Sequence, residues 1–431
     1  MRETSWVTDL KTRHLRVMGD GAPLFYDDPV ELESGDGVWL QASDGRRYLD
    51  LYNNVPCVGH ANPRVAAAIA KQAGRLNVHS RYLHESVVDY AERLVGLHHD
   101  GIESAIIACS GTEATELALT MAQTVTGRQG LICTDATYHG NSSLVSRLTR
   151  LPAGRARGPV RSIHTPQTFR PLDPGLSEAE LSQRYLDELA STIAAFDDEG
   201  GFAGIMLCSI LANEGLPNTP GNWFADAVAL VHDAGGLVIA DEVQAGFARS
   251  GRWWGYETSG FEPDIVCMGK PMGNGLPISG VASSHENITT FRHKHRYFNT
   301  FAGSPLQAAA GMAVIDEITD RALVDQSAAV GERLRNELAG LQSTCPAMGD
   351  VRGCGLFIGV DWVHPGTTDP DVAGAAALVE AMKNRAMLLG KAGQHGNVIK
   401  IRPPLVFEHE HGDLFLDAFA DAVQELAGTE A

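Results

Sequence analysis

Between Glu103 and Ser283 the chain repeats one pattern, a short apolar run followed by a helical or irregular stretch. The runs are Glu103 to Cys109, Gly130 to Thr134, Ala203 to Cys208, Gly236 to Ala240, Asp264 to Met268 and Ser279 to Ser283. They are too short for buried helices, and most are continuously apolar rather than alternating, so they read as strands buried on both faces. Thr112 to Thr126 and Trp223 to Ala234 have helical texture between them. Strands of this kind, separated by helices, predict an α/β fold: a largely parallel sheet covered by helices on both sides.

The remainder of the chain frames this unit. Gly37 to Leu51 alternates about Ser43-Asp44-Gly45 and predicts a β-hairpin; Asn62-Pro63 predicts an N-cap with proline at the first helical position. Arg147 to Arg161 holds five arginines among glycine and proline and reads as an irregular loop, either a solvated surface segment or the rim of a substrate entry. From Ser304 the texture turns helical, then passes through short strands to a last helix after Glu408. At 431 residues the chain exceeds what one core supports. The expected division is a large domain over 62–310 and a smaller α+β domain over 311–431, to which 1–61 contributes.

Composition removes several classes of function. A net charge of −19 argues against binding the phosphate backbone of nucleic acid, though not against a small anionic substrate in a locally basic site. The seven cysteines are scattered, without a C-x-x-C pair, and read as free thiols in a reducing compartment. Met1 to Trp6 has no apolar signal core, and no stretch approaches the length of a membrane span. A cytoplasmic protein is expected. His293, His295, His409 and His411 lack partnering cysteines or acids and read as surface residues, so no metal is expected. Gly353-x-Gly355-x-x-x-Gly359 has the wrong spacing for a dinucleotide fingerprint.

Four motifs carry chemistry. At Cys109-Ser110-Gly111-Thr112-Glu113-Ala114 an apolar strand gives way to a helix start, which is either a plain N-cap or a cup for a phosphate dianion. Tyr138-His139-Gly140 follows another strand and offers a flat ring for stacking. Leu237 to Ala240 runs into Asp241-Glu242-Val243-Gln244, placing a carboxylate at the sheet edge where ligands bind. Such a carboxylate can hold a pyridine nitrogen protonated. Asp264 to Met268 runs into Gly269-Lys270-Pro271-Met272-Gly273-Asn274-Gly275. That puts a lysine on a buried strand end, where desolvation lowers its pKa and suits it to form an imine and to act as a base. Phosphate cup, stacking ring, strand-end aspartate and strand-end lysine, in that order, predict pyridoxal phosphate (PLP).

From about Gly37 to Phe407 the sequence resembles the class III aminotransferase family, PLP enzymes of fold type I. The resemblance implies that Ser110, Gly111 and Thr112 form the phosphate cup and that Tyr138 and His139 stack on the ring. It makes Asp241 the partner of the ring nitrogen, Val243 the residue on the other face, Gln244 the residue near the ring hydroxyl and Lys270 the Schiff-base lysine. Asn299-Thr300-Phe301-Ala302-Gly303 resembles the segment whose threonine, here Thr300, reaches the cofactor phosphate of a neighbouring subunit, which implies a homodimer with shared active sites. Tyr52-Asn53-Asn54-Val55-Pro56, Ser80-Arg81-Tyr82-Leu83-His84, the Lys270 turn and Arg352 to Gly359 look like the phospho-lyases of this class, which act on O-phosphoethanolamine or phosphohydroxylysine.

Two departures bear on the substrate. Where many members have Glu-Pro-x-Gln, this chain reads Ser209-Ile210-Leu211-Ala212, which points away from ordinary amino-acid/keto-acid specificity. Lys400-Ile401-Arg402-Pro403-Pro404 keeps an arginine whose guanidinium suits carboxylate or phosphate alike. The expected substrate contacts are Asn54, Arg81 and Arg402, with Arg81 open to a purely structural role at a helix end. The reaction expected is elimination of phosphate from a phosphorylated amine. A transaminase delivering the amino group to pyruvate or glyoxylate is the alternative, and a racemase the third possibility.

Overall fold

The structure, a computed structural model, describes residues 9–429. The stretch Met1 to Trp6 lies outside the described residues. Three strands open the fold: β1 (Leu32–Asp36), β2 (Trp39–Ala42) and β3 (Arg47–Asp50). β2 and β3 form the expected hairpin, Trp39 opposite Leu49. The central strands follow as β4 (Ser104–Ala108), β5 (Gly130–Thr134), β6 (Ala156–Arg157), β7 (Val160–Ile163), β8 (Phe202–Cys208), β9 (Leu237–Asp241), β10 (Ile265–Met268) and β11 (Ser279–Ser283). The last five are β12 (Met348–Cys354), β13 (Phe357–Trp362), β14 (Met387–Leu388), β15 (Gly390–Ala392) and β16 (Val398–Ile401).

The eight central strands form one sheet in the order β4-β11-β10-β9-β8-β5-β7-β6. From β10 to β7 all neighbours are parallel; β11 runs antiparallel to β10 and β4, and β6 antiparallel to β7. Every residue of β5, β8, β10 and β11 is buried, in keeping with their largely apolar sequences. The six predicted strands are β4, β5, β8, β9, β10 and β11. The Arg147–Arg161 stretch is not wholly irregular: it holds β6 and the start of β7. Val160 there is fully buried, while Arg161 reaches out to pair with Glu199 at 2.8 Å. Charge every few residues hid this short edge pairing.

Helices cover the sheet. The first four are α1 (Leu10–Met18), α2 (Pro63–Ala73), α3 (Glu85–Val95) and α4 (Gly111–Thr126), followed by α5 (Glu178–Ala194), α6 (Trp223–Asp233), α7 (Gly255–Ser259) and α8 (His285–Lys294). The C-terminal part adds α9 (Pro305–Asp320), α10 (Leu323–Leu341), α11 (Val372–Asn384) and α12 (His409–Thr429). α2 starts as expected, with Asn62 accepting the Val65 N–H and proline following it. α9 passes so close to α3 that a Cβ on Gly311 would sit 2.4 Å from the Tyr90 ring. β12-β13-β16-β15 is a separate antiparallel sheet, and β14 pairs in parallel with β3, tying the N-terminal hairpin to the C-terminal part.

A buried charge node joins the C-terminal sheet to the rest. Asp361 on β13 accepts hydrogen bonds from Arg170 (2.8 Å), Arg352 (2.7 Å) and Asn397 (2.7 Å). Arg352 in turn donates to the Gly215 carbonyl at 2.9 Å, in the segment after β8. Burial pushes the Asp361 carboxyl up, but Arg170 and Arg352 outweigh it and hold the pKa below its ordinary 3.8. A lowered folded pKa means that the stabilisation is complete above the unfolded value and is lost as pH falls through the folded one. Asp361→Asn leaves Arg352 buried without its main counter-charge. It should lower stability by about 3–5 kcal/mol near neutral pH in denaturant unfolding, and the gap to wild type should shrink as pH drops below 3.8.

Candidate active site

Strand register brings the two central groups together. β9 and β10 are parallel with Cys267 opposite Asp241, so Asp241 ends one strand and Lys270 stands just past the end of its neighbour. Between the C-terminal ends of these strands and the start of α4 lies a cavity of about 210 Å³. Ser110, Gly111, Thr112 and Gly140 line one side of it, Tyr138 and His139 another, and Asp241, Val243, Gln244 and Lys270 the rest. A cavity of about 830 Å³ by His98, Tyr256 and Asp264 is larger, but lies at the opposite end of β10. The smaller one holds the convergent chemistry, at the sheet edge where open α/β folds bind ligands.

Each lining residue has a local cause. Ser110 caps α4 by accepting the Glu113 N–H at 3.2 Å, while the N–H groups of Gly111 and Thr112 have no acceptor among the described residues. Ser110 is thus an N-cap, and the helix start also leaves N–H donors without an acceptor among the described residues at its positive end. Close approach demands glycine twice. A Cβ on Gly111 would lie 3.0 Å from Val243, and one on Gly140, at φ +144, would lie 2.6 Å from the Thr112 hydroxyl.

His139 does more than present a flat ring. Its Nδ1 lies 2.5 Å from Asp241 and its Nε2 is 2.9 Å from the Thr137 hydroxyl. The other Asp241 oxygen accepts the Val243 N–H at 2.9 Å. The carboxylate is thus fixed from two sides, and His139 and Asp241 are both buried. Glu242, next in sequence, points away and caps α7, accepting the N–H groups of Gly255 (2.8 Å) and Tyr256 (2.9 Å); burial pushes its pKa up to about 7.

Lys270 presents its surface to the cavity, yet protein surrounds that cavity, and the amine is desolvated. Burial pushes its pKa below the ordinary lysine value and the nearby charge of Arg402 adds to the shift, against the pull of Asp241. No carboxylate pairs with it among the described residues. Its turn is held from the N-terminal segment. Asn274, at φ 46, accepts the Val58 N–H (3.0 Å) and donates to the Gly59 carbonyl (2.9 Å), while the Cys57 thiol lies 3.2 Å from the Pro271 carbonyl.

The remaining predicted residues are not among those lining the cavity. Arg402 is buried beside it, donating to the Tyr52 carbonyl from Nε (3.1 Å) and Nη2 (2.9 Å) and to Gln244 Oε1 from Nη1. Burial lowers its pKa to about 10. Asn54 donates to the Gln244 carbonyl at 3.0 Å and accepts from Arg249 Nε at 3.0 Å, so both ends of its amide are used structurally. Arg81 is exposed, its guanidinium 3.9 Å above the Phe298 ring, and Thr300 is exposed on the same chain's surface. Ser209 is fully buried behind the site.

Sequence reasoning missed three buried ionisable groups here. Arg249 is fully buried, with Nη2 lacking a partner among the described residues and its pKa pushed down to about 9, first by burial and then by Arg402. Glu214 Oε1 accepts a hydrogen bond from the Thr134 hydroxyl at 2.7 Å, and burial pushes its pKa up. Lys400 is buried on β16, its amine 5.3 Å from the centre of the Tyr52 ring. Two basic residues two apart in an apolar strand run, Lys400 and Arg402, were the available signal.

These residues fit PLP. Bare helix-start N–H groups suit its phosphate, a fixed buried carboxylate suits its ring nitrogen, and a desolvated amine without a counter-ion suits its aldehyde. Fold and site together define a PLP enzyme of fold type I. The chain belongs to the class III aminotransferase family, whose model, described as aminotransferase class-III, matches residues 26–423. It is 33% identical over 429 residues to an alanine–glyoxylate aminotransferase 2-like protein of Drosophila melanogaster, covering 96% of this chain and 86% of the relative. It is 32% identical to ethanolamine-phosphate phospho-lyase homolog 1 of Caenorhabditis elegans, covering 94% and 90%. Among solved structures, a phospholyase from Arthrobacter in complex with phosphoethanolamine superposes with a TM-score of 0.92 at 38% identity, covering 96% of this chain and 99% of that one.

Asn54→Ala strips Arg249 and the Gln244 carbonyl of a partner at once. It should cost about 3 kcal/mol in unfolding experiments, because a buried guanidinium loses a hydrogen bond.

Proposed function

We propose that the protein is a phospho-lyase that eliminates phosphate from a phosphorylated amine such as O-phosphoethanolamine, giving an aldehyde, ammonia and phosphate. The observation that carries this reading is the charge balance around the cavity. Lys270 lines it, Arg402 donates to the lining residue Gln244, and Lys400 lies within reach of both charges, while the one lining carboxylate, Asp241, is already held by His139 and the Val243 N–H. Such a site favours a substrate bearing more than one negative charge. Support also comes from the phosphoethanolamine held by the Arthrobacter phospholyase.

PLP, when bound, supplies an aldehyde that takes up an amine and a ring that spreads the charge developed at the amine-bearing carbon. The Gly111 and Thr112 N–H groups and Ser110 would hold its phosphate, Val243 and Tyr138 would pack on its ring, and Gln244 would sit toward its hydroxyl. Asp241, oriented by His139, keeps the ring nitrogen protonated. Lys270 would take the proton from the amine-bearing carbon, and Arg402, its guanidinium held by Tyr52 and Gln244, would attract the substrate's anionic end through its charge. A phosphate on the adjacent carbon then leaves.

The second reading is an aminotransferase using pyruvate or glyoxylate, favoured by the buried Arg402, whose fork also suits a carboxylate. A homodimer accords with the exposed apolar group of Tyr82, Leu83 and Phe301 beside Thr300, with Leu83 wholly exposed. No helix among the described residues is long and apolar enough to cross a membrane, and a cytoplasmic location is part of the proposal.

The test is release of phosphate and ammonia from O-phosphoethanolamine by PLP-loaded protein without any keto acid. Equal amounts of both should appear. Lys270→Ala should abolish release and the imine absorbance near ~400 nm. Silence on this substrate, with alanine formed once pyruvate and an amine donor are added, would establish the transaminase instead.

A further inference from the structure

β16 carries alternate residues on opposite faces, so Lys400 falls on one side with Val398 and, just beyond the strand, Arg402, while Ile399 and Ile401 take the other. All five are buried. Arg402 has its guanidinium committed to the Tyr52 carbonyl and Gln244. Lys400 has no such commitment. Among the described residues no carboxylate pairs with its amine and no acceptor binds it; its near neighbour is the face of the Tyr52 ring. Glu214, a buried carboxylate of the same region, is engaged with Thr134 instead.

The ionisable groups that act on Lys400 are Arg402, Lys270, Cys208 and, through its ring, Tyr52. Burial first, then the charges of Arg402 and Lys270, push its pKa down to about 7, with Cys208 opposing. An amine of that kind gives up a proton readily at neutral pH. Arg402, at about 10, keeps its own and acts as a fixed charge.

The proposed reaction needs such a donor. Breaking the C–O bond of a phosphate monoester dianion would release the phosphate trianion, far too basic to leave unaided, so a proton must arrive as the bond breaks. Building on the phospho-lyase reading above, we propose that Lys400 is the general acid of the elimination: its ammonium binds the substrate's phosphoryl group and delivers a proton to the departing oxygen. Lys270 takes the proton from the amine-bearing carbon, and that C–H electron pair becomes the new carbon–carbon π bond. The C–O pair leaves on oxygen, which takes the Lys400 proton, so hydrogenphosphate departs and Lys400 is left neutral.

The test compares two leaving groups on the holoenzyme, O-phosphoethanolamine and O-sulfoethanolamine. Sulfate is weakly basic and leaves without a proton. Lys400→Arg keeps the charge but not a proton that can be transferred at neutral pH. On the phosphate ester it should lose kcat by about 10²–10⁴-fold with KM changed little, and on the sulfate ester it should stay close to wild type. Lys400→Gln should lose kcat likewise and also raise KM. Wild-type kcat/KM on the phosphate ester should fall as pH rises past about 7, as the acid form is lost, and Lys400→Arg should lack that limb. Calorimetry with inorganic phosphate should show proton uptake on binding above pH 7 in wild type and none in Lys400→Arg.

Equal losses on both esters would assign Lys400 a structural role and overturn the inference, as would an alkaline limb that survives in Lys400→Arg. If wild type releases neither phosphate nor sulfate, the phospho-lyase reading itself fails, an outcome separate from a working lyase indifferent to Lys400.

Discussion

The parallel pairing of β9 with β10 is the constraint on which the site depends. With Cys267 opposite Asp241, the carboxylate and the lysine turn emerge side by side at one sheet edge. β8 continues the same register, with Cys208 opposite Asp241, and brings the following segment, with Ser209, Asn213 and Glu214, alongside. A slip of one residue would turn every side chain of a strand to the other face. Strands buried on both faces have little tolerance for that, so the sheet that forms the core also sets the geometry of the reactive groups. Asp241 needs no mobile loop to aim it, since His139 and the Val243 N–H hold it in place.

Around that edge the protein accumulates positive charge and compensates for it with dipoles. Arg249 donates from Nε to the Asn54 amide oxygen and from Nη1 to the carbonyls of Leu356 and Pro403. Arg402 is satisfied by the Tyr52 carbonyl and the Gln244 amide oxygen. Neutral acceptors fix a guanidinium without cancelling its charge, and the field remains available to an anion entering the cavity. The contrast with Asp361 is instructive: there Arg170 and Arg352 meet a carboxylate directly, and the result is a structural staple.

Much of this was legible in the sequence, for physical reasons. β5 and β11 fall on the residues of their predicted runs, each wholly buried. Asn62-Pro63 announces α2, and Asp241 and Lys270 stand out as charged residues directly after buried strands. β6 and β7 were obscured because an edge pairing only needs to bury one side, and arginines fill the other. Asn54 drew attention by resemblance; its amide bridges Arg249 and Gln244, 195 and 190 positions away in sequence. Lys400 lay in plain view within a strand. That its amine lacks a partner is a property of three dimensions, with Tyr52, Cys208 and Lys270 arriving from three distant parts of the chain.

The hold of the N-terminal segment on the lysine turn bears on the order of assembly. Val58 and Gly59 meet Asn274 across 216 and 215 positions of sequence, and Cys57 meets Pro271 across 214. Closing so long a loop is slow, and little rewards it until both ends have folded. The central sheet can form while the turn bearing Lys270 still lacks its clamp. The turn that carries Lys270 is therefore held in shape by residues more than 200 positions away, so the geometry at the middle of the chain depends on its beginning.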